Sequence, residues 1–236
     1  DWLQRTIWWV HEYEWKMFGI AVRLLLPRAK SVIFVSKEAR RMFPFVKDSK
    51  ATIIPNSIRP SVAVRAQGAA LQSSGWKADK RVSFLQAGTV YEARNQLRFV
   101  QAAVNLIQEG KCSFCKFIVV GLSDSNSVYE QSVQRLAEGF GNGQISVLKK
   151  VSSSEVLKLI AQADVLVSLH DNESFGMTFL EGMALGKPVI ARKTGGVPSV
   201  VYPESLDVSL EPGELEEAFS KMLSEKFRSK HSSLAL

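Results

Sequence analysis

Val165-Leu166-Val167-Ser168-Leu169-His170-Asp171-Asn172-Glu173-Ser174-Phe175-Gly176-Met177-Thr178-Phe179-Leu180-Glu181-Gly182-Met183-Ala184-Leu185-Gly186-Lys187-Pro188-Val189-Ile190-Ala191 reads as strand, loop, helix, strand. Val165 to Ser168 is a short buried strand and Phe175 to Leu185 has helical character. Gly186 and Pro188 close that helix before Val189 to Ala191 forms the next strand. The backbone N–H groups of Phe175, Gly176, Met177 and Thr178 fall at the predicted helix start, where partial positive charge attracts phosphate oxygens. Glu173 precedes that anion site, and Glu181 follows it by about one to two turns. The ordinary reading of the two acids is a solvated loop carboxylate and a helix-surface carboxylate. The sharper reading is a ligand with hydroxyl-bearing groups on both sides of a diphosphate, such as a nucleotide sugar.

Outward from this stretch the same alternation continues. Val82 to Ala87, Phe117 to Val120, Ile145 to Leu148 and Leu206 to Ser209 are further strands of the second part. Leu97, Val100, Val104 and Ile107 mark one apolar helix face. Ser152 and Glu155 form a capping box ahead of a helix over Val156 to Ala163, and Glu214 to Lys226 supplies the last helix. This order predicts an α/β fold with a doubly wound parallel sheet. Upstream, Arg5 to Val10, Ser31 to Val35 and Ala51 to Ile54 read as strands, with helices over Tyr13 to Leu26 and Ser36 to Phe43. Pro55 to Lys80 is polar and poorly periodic, so the domain linker is placed there.

In an open parallel sheet, ligands bind beyond the carboxyl ends of the strands. Glycines stand there repeatedly: Gly88 followed by Thr89 after the first strand of the second part, Gly121 after the next, and Gly195-Gly196 after Val189 to Ala191. Together with Asp171 to Gly176 these loops are expected to outline a cleft, although each alone is an ordinary turn signal. Arg94, near the start of the following helix, could reach back to a diphosphate; the plainer reading is a helix-surface charge. His11 ends the Arg5 to Val10 strand, where it could hydrogen-bond a sugar hydroxyl or serve as a structural histidine.

Glu-Ser-Phe-Gly at 173–176, the seven residues between the two glutamates, and Gly-Met-Ala-x-Gly-x-Pro-Val-Ile-Ala at 182–191 together resemble the signature of retaining glycosyltransferases of family 4. Ile53-Ile54-Pro55-Asn56-Ser57 resembles the approach to that family's interdomain linker, Gly88 to Gln96 its first donor-domain loop, and Gly195-Gly196-Val197-Pro198 its last glycine loop. The resemblance implies the GT-B fold. Residues 1–54 would be the remnant of an acceptor-side Rossmann-like domain, 55–80 the linker, 81–226 the nucleotide-sugar-binding domain and 227–236 a tail. It implies a UDP- or GDP-sugar donor, an unidentified acceptor and transfer of a hexose. Glu173 would contact the transferred sugar, Glu181 the ribose, and Arg94 the departing diphosphate, where the family usually has Lys. Gly88, Thr89, Gly121, Ser174 to Thr178 and Gly195-Gly196 would line the donor. Trp9-Val10-His11-Glu12 resembles the family's first-domain histidine site, which makes His11 a catalytic candidate facing the sugar; the family match gives His170 no defined role.

Two positions depart from the pattern. Thr89 replaces a second basic residue, so leaving-group charge would rest on Arg94 and the helix start alone, and Ser199 stands where an acid is common. No Asp-x-Asp occurs, and a metal-free mechanism with no cofactor is expected. The resemblance leaves room for an epimerase or phosphorylase on the same fold. A catalytically degenerate nucleotide-sugar-binding module is the alternative that Thr89 and Ser199 motivate. The chain begins at Asp1 and lacks earlier strand and helix units, so it is expected to bind donor but to transfer poorly.

Bulk properties bound the rest. The 236 residues are 46% hydrophobic, ample for a packed core. Residues 1–79 hold 13 Lys and Arg against 6 Asp and Glu, whereas the remainder holds 17 of each, so the whole surplus of +7 is N-terminal. That third could face anionic lipid headgroups or an anionic acceptor, against the plain reading of a solvated surface. Trp2, Trp8, Trp9, Trp15 and Phe18 are expected to pack a strand on its helix, with membrane-interface anchoring the sharper alternative. Nothing resembles a nucleic-acid recognition motif, a signal peptide or a membrane span. Cys112 and Cys115 lack further metal ligands and are expected to pack as ordinary thiols, which fits a reducing, cytoplasmic setting, with the basic face at a membrane surface.

Overall fold

The computed structural model describes residues 2–11, 19–58, 81–140, 143–201 and 205–232. The chain divides into two compact units. The first comprises Asp1–Ser57, Asn172–Met177 and Lys193–Val200, and the second Ile58–Asp171, Thr178–Arg192 and Val201–Leu236.

The first unit contains β1 (Ile7–Val10), α1 (Gly19–Leu25), β2 (Ser31–Phe34), α2 (Lys37–Arg41) and β3 (Ala51–Ile53), with its strands parallel in the order β1-β2-β3. Strand alternation sends Val32 and Phe34 inward onto Leu26, Phe43 and Val46, with Trp8 and Val10 packed against that cluster. The Phe34 and Phe43 rings meet at 5.4 Å. Ile7 and Trp9 take the opposite face and are more than half exposed.

The second unit is a six-stranded, wholly parallel sheet. Its elements are β4 (Val82–Ala87), α3 (Gln96–Gln108), β5 (Cys115–Leu122), α4 (Val128–Phe140), β6 (Ile145–Lys149), α5 (Ser153–Gln162), β7 (Val165–Ser168), α6 (Met177–Ala184), β8 (Val189–Ala191), β9 (Leu206–Asp207), α7 (Glu214–Met222) and α8 (Glu225–Ser232). The strand order is β6-β5-β4-β7-β8-β9. All six residues of β4 are buried, as a central strand covered on both faces requires. Phe84 and Phe117 stack at 5.1 Å from adjacent strands, and Phe219 of α7 closes on them at 4.8 and 5.3 Å. The apolar stripe of α3 buries Val100 and Val104 and half-buries Leu97 and Ile107. The Ser152/Glu155 capping box is present.

Several expectations need correction. The strand expected from Arg5 begins at Ile7, because Arg5 ends a 3-10 turn over Trp2–Arg5 and Thr6 closes back with its amide on the Leu3 carbonyl and its hydroxyl on the Trp2 carbonyl. The helix expected from Phe175 begins at Met177, since Gly176 has φ +91°, outside the helical region. The last helix breaks into α7 and α8 at Leu223 and Ser224. Of the described tryptophans Trp2, Trp8 and Trp9, only Trp8 packs against the core, while Trp2 and Trp9 are exposed. Cys112 and Cys115 form a disulfide: the turn between α3 and β5 brings their Cα atoms to 5.3 Å, within bridging range, and both are buried. Trp15, Phe18, residues 13–18 of the Tyr13 to Leu26 helix and all but the first residues of the linker lie outside the described residues. Among the described residues no helix is long and apolar enough to cross a membrane.

Candidate functional site

In the second unit, β4 is flanked by β5 on one side and β7 on the other, so the chain reverses its direction of travel across the sheet between β4 and β7. Such a switch point is where parallel sheets leave room for a ligand beyond the strand ends. The loop after β4 runs from Gly88 through the 3-10 turn Glu92–Arg94 to Asn95, which takes the left-handed conformation at φ 56° and starts α3. Arg94 is therefore presented by a tight turn rather than by the helix expected for it.

That turn is held from below and above. Gln86 and Gln96, both buried, donate to the Arg94 carbonyl (2.7 Å) and the Thr89 carbonyl (3.0 Å). Asn95 Nδ2 donates to the Leu169 carbonyl (2.8 Å) and to Asp171 Oδ1 (2.9 Å), and the Asp171 amide donates to the Ala93 carbonyl (2.8 Å). Arg192, just beyond β8, pairs with the same Asp171 oxygen. The Tyr91 hydroxyl lies 2.6 Å from His170 Nε2. The segments after β4, β7 and β8 thus form one cross-linked edge.

Arg94 lies on that edge in an unusual setting. Its guanidinium sits 5.6 Å above the Tyr91 ring, and among the described residues no carboxylate pairs with it and its buried Nε has no hydrogen-bond partner. Its side chain crosses Gly88, which has φ +143° and where a Cβ would collide with Nη1. Gly121 packs its backbone on the Gly88 carbonyl, leaving no space for a side chain. Arg94 is thus a partly buried guanidinium lying over glycine backbone with no carboxylate partner among the described residues. Thr89 beside it is exposed and neutral.

The first unit carries the other predicted residues. His11 follows β1 and is exposed, its ring stacked on Trp9 at 5.3 Å. Ser36 follows β2 and caps α2, accepting from the Ala39 amide (3.0 Å) while its hydroxyl donates to the Ser174 carbonyl (3.1 Å). The Gly196 amide donates to the Glu173 carbonyl at 2.6 Å, and Cβ atoms on Gly195 or Gly196 would strike the Glu173 or Ser174 backbone. The two glycines are what lets these loops touch. Ser199 donates its hydroxyl to Glu38 (2.5 Å). Phe175 and Gly176 are buried, Met177 is exposed, and Met177 to Phe179 form the first turn of α6, whose amides have no partner within the helix.

Glu181, on α6 in the second unit, is half-buried, and burial raises its carboxyl above the ordinary carboxylate value. At the loop after β5, Glu130 has the opposite environment. The Ser125 and Ser123 hydroxyls and the Ser123 and Ser127 amides all donate to it, holding its carboxyl at about 2. The sequence singled out the glycines, Arg94 and both glutamates as candidates, whereas the anchoring roles of Gln86, Tyr91, Asn95, Asp171 and Arg192 emerge only from the structure. Asn95 left one signal: an asparagine directly before an apolar helix stripe is the commonest non-glycine residue in the left-handed region.

The profile of the family described as "Glycosyl transferases group 1" matches residues 70–233, well over half of the sequence. The chain belongs to the group 1 glycosyltransferases. The N-acetyl-alpha-D-glucosaminyl L-malate synthase of Bacillus anthracis is 44% identical to this glycosyltransferase chain over 46 residues, 20% of this chain and 12% of that one. A D-inositol 3-phosphate glycosyltransferase of Streptomyces griseus is 25% identical over 201 residues, 84% of this chain and 41% of the other. The fold is that of Anabaena Alr3699/HepE, solved in complex with UDP and glucose, at TM-score 0.77, 18% identity, and coverage of 97% of this chain and 65% of that one. The chain thus spans less than half the length of these two curated relatives. It is an α/β protein of the GT-B class, with parallel Rossmann-like sheets.

Proposed function

We propose that this chain is the donor-binding portion of a retaining, family 4 glycosyltransferase that takes a hexose from a UDP- or GDP-sugar to an acceptor, without a metal or cofactor. The observation that carries the reading is Arg94, a guanidinium without a carboxylate partner among the described residues, beside the switch point of a doubly wound sheet. In this reading Arg94 takes the diphosphate and steadies it as it leaves. Gly88, Thr89 and Gly121 give it backbone access, and the loop from Ser174 to Gly176 with the first turn of α6, Met177 and Thr178, supplies amides. Glu181 accepts from the ribose hydroxyls, Glu173 contacts the transferred sugar, Gly195-Gly196 support the Glu173 loop, and His11 serves the acceptor side. Metal independence is the part of this reading that rests on the sequence, which has no Asp-x-Asp. The basic N-terminal third, with exposed Trp2, Ile7 and Trp9, is proposed to meet an anionic membrane surface.

Calorimetric titration of the 236-residue chain with UDP, GDP and ADP tests the donor site. Arg94→Ala is expected to weaken the bound diphosphate about tenfold or more, the worth of a charge-assisted hydrogen bond, with little change in melting temperature. Equal affinity in wild type and Arg94→Ala would sink the assignment. The competing reading, a binding module without turnover, draws on neutral Thr89 and on Ser199, whose hydroxyl is engaged by Glu38. Transfer or hydrolysis of a bound donor sugar that Glu173→Ala abolishes separates the two.

A further inference from the structure

Resting on the donor-site reading, we infer that Arg192 provides the second positive charge on the donor diphosphate, the role that the neutral Thr89 leaves unfilled. A diphosphate carries more charge than one guanidinium offsets, and Thr89 can offer only a hydroxyl. Arg192 stands one residue beyond β8, the neighbour of β7, and so about 10 Å across the strand ends from β4. Its guanidinium is drawn back toward the β4 loop, because it and Asn95 Nδ2 share the same Asp171 oxygen, and Asn95 is the residue after Arg94. Both arginines therefore project from one cross-linked edge, within a side chain of each other's anchors.

The ion pair does not use Arg192 up. Among the described residues Asp171 is its one side-chain partner, engaged through a single Nη1–H, so four of the five N–H donors of a guanidinium have no protein acceptor. The side chain is 28% exposed and that of Asp171 41%. A pair this open contributes little to stability as a brace, so its chief effect is to fix where the guanidinium stands. Arg192 on this account is a binding residue, and Asp171 a positioning residue acting through it.

The test compares Kd values for UDP, GDP and ADP with those of their monophosphates, by calorimetry on the full 236-residue chain. Arg192→Gln is expected to weaken the bound diphosphate about tenfold and the monophosphate much less, while Arg192→Lys retains most of the affinity. Adding Thr89→Arg to Arg192→Gln is expected to restore diphosphate binding, since residue 89 is exposed at the end of β4 and accommodates a long side chain. A lower melting temperature with unchanged Kd, or failure of Thr89→Arg to recover the loss, overturns the inference. If Arg192→Gln does not fold, Asp171→Asn decides: without the carboxylate that holds Arg192 in place, diphosphate binding should weaken about threefold while monophosphate binding changes little, and unchanged or tighter diphosphate binding overturns the inference. Arg94→Gln separates the two levels. Loss of binding there but not in Arg192→Gln removes only the role of Arg192, whereas no diphosphate binding by the wild type, or none lost in Arg94→Gln, removes the donor site itself.

Discussion

Arg94 can lie across residue 88 only because nothing projects there. Gly88→Ala adds a Cβ where Nη1 now sits and demands φ +143° of an L side chain. The expected cost is about 1–3 kcal/mol of stability, with a roughly tenfold loss of diphosphate affinity as the guanidinium swings aside. Gly121→Ala should cost more, because the obstacle is the Gly88 carbonyl rather than a flexible side chain. Urea unfolding of both variants checks the order, and equal costs would contradict it. Glu181 makes the converse argument, that a residue can serve a ligand at the expense of the fold. Burial raises its carboxyl above the unfolded value, so the folded state holds the proton more tightly and loses stability as pH rises through the raised value. Glu181→Gln should therefore melt higher than wild type at pH 7.5 and equal to it below about pH 4, while losing about tenfold in nucleoside diphosphate affinity. A lower melting temperature at pH 7.5 would refute the assigned cause.

At the scale of elements, helix starts decide where backbone amides point. The first turn of α6 is set by Gly176, whose positive φ delays the helix by two residues beyond where apolar spacing places it. The start of α4 is set by charge: Ser127 and Glu130 exchange hydrogen bonds as a capping box, and the remaining acceptor capacity of Glu130 gathers Ser123 and Ser125. Its value of about 2 is below the ordinary 4.5, so the stabilisation is whole above pH 4.5 and is lost as pH falls from 4.5 toward 2. Glu130→Gln should melt below wild type at neutral pH, and the gap should close over that acid window. Thermal melts between pH 7 and pH 3 measure it; a gap of constant size would show that the carboxylate is not the cause.

For the whole molecule, the surplus of +7 in the first 79 residues and the exposed Trp2 and Trp9 belong together. The chain should sediment with phosphatidylglycerol vesicles and not with phosphatidylcholine vesicles, and should detach in about 0.5 M salt, where surface charges are screened within a few ångströms. Equal recovery with both lipids would remove electrostatics from the interaction. Much was legible in the residues themselves. The mostly apolar run of β4, the Ser152/Glu155 box, the α3 stripe, the glycines after β4 and β8 and Gly121 near the end of β5 are local signals, carried by side-chain periodicity and turn chemistry over a few positions, and they determined the parallel α/β class. What residues alone did not determine is strand order. Only pairing between segments as distant as Phe84 and Val165 puts the switch point between β4 and β7. That pairing in turn brings Asn95 and Arg192 onto Asp171. The close approach of Gly196 to Ser174 is likewise tertiary, because each glycine is locally an ordinary turn residue until another backbone fills the space where its side chain would be.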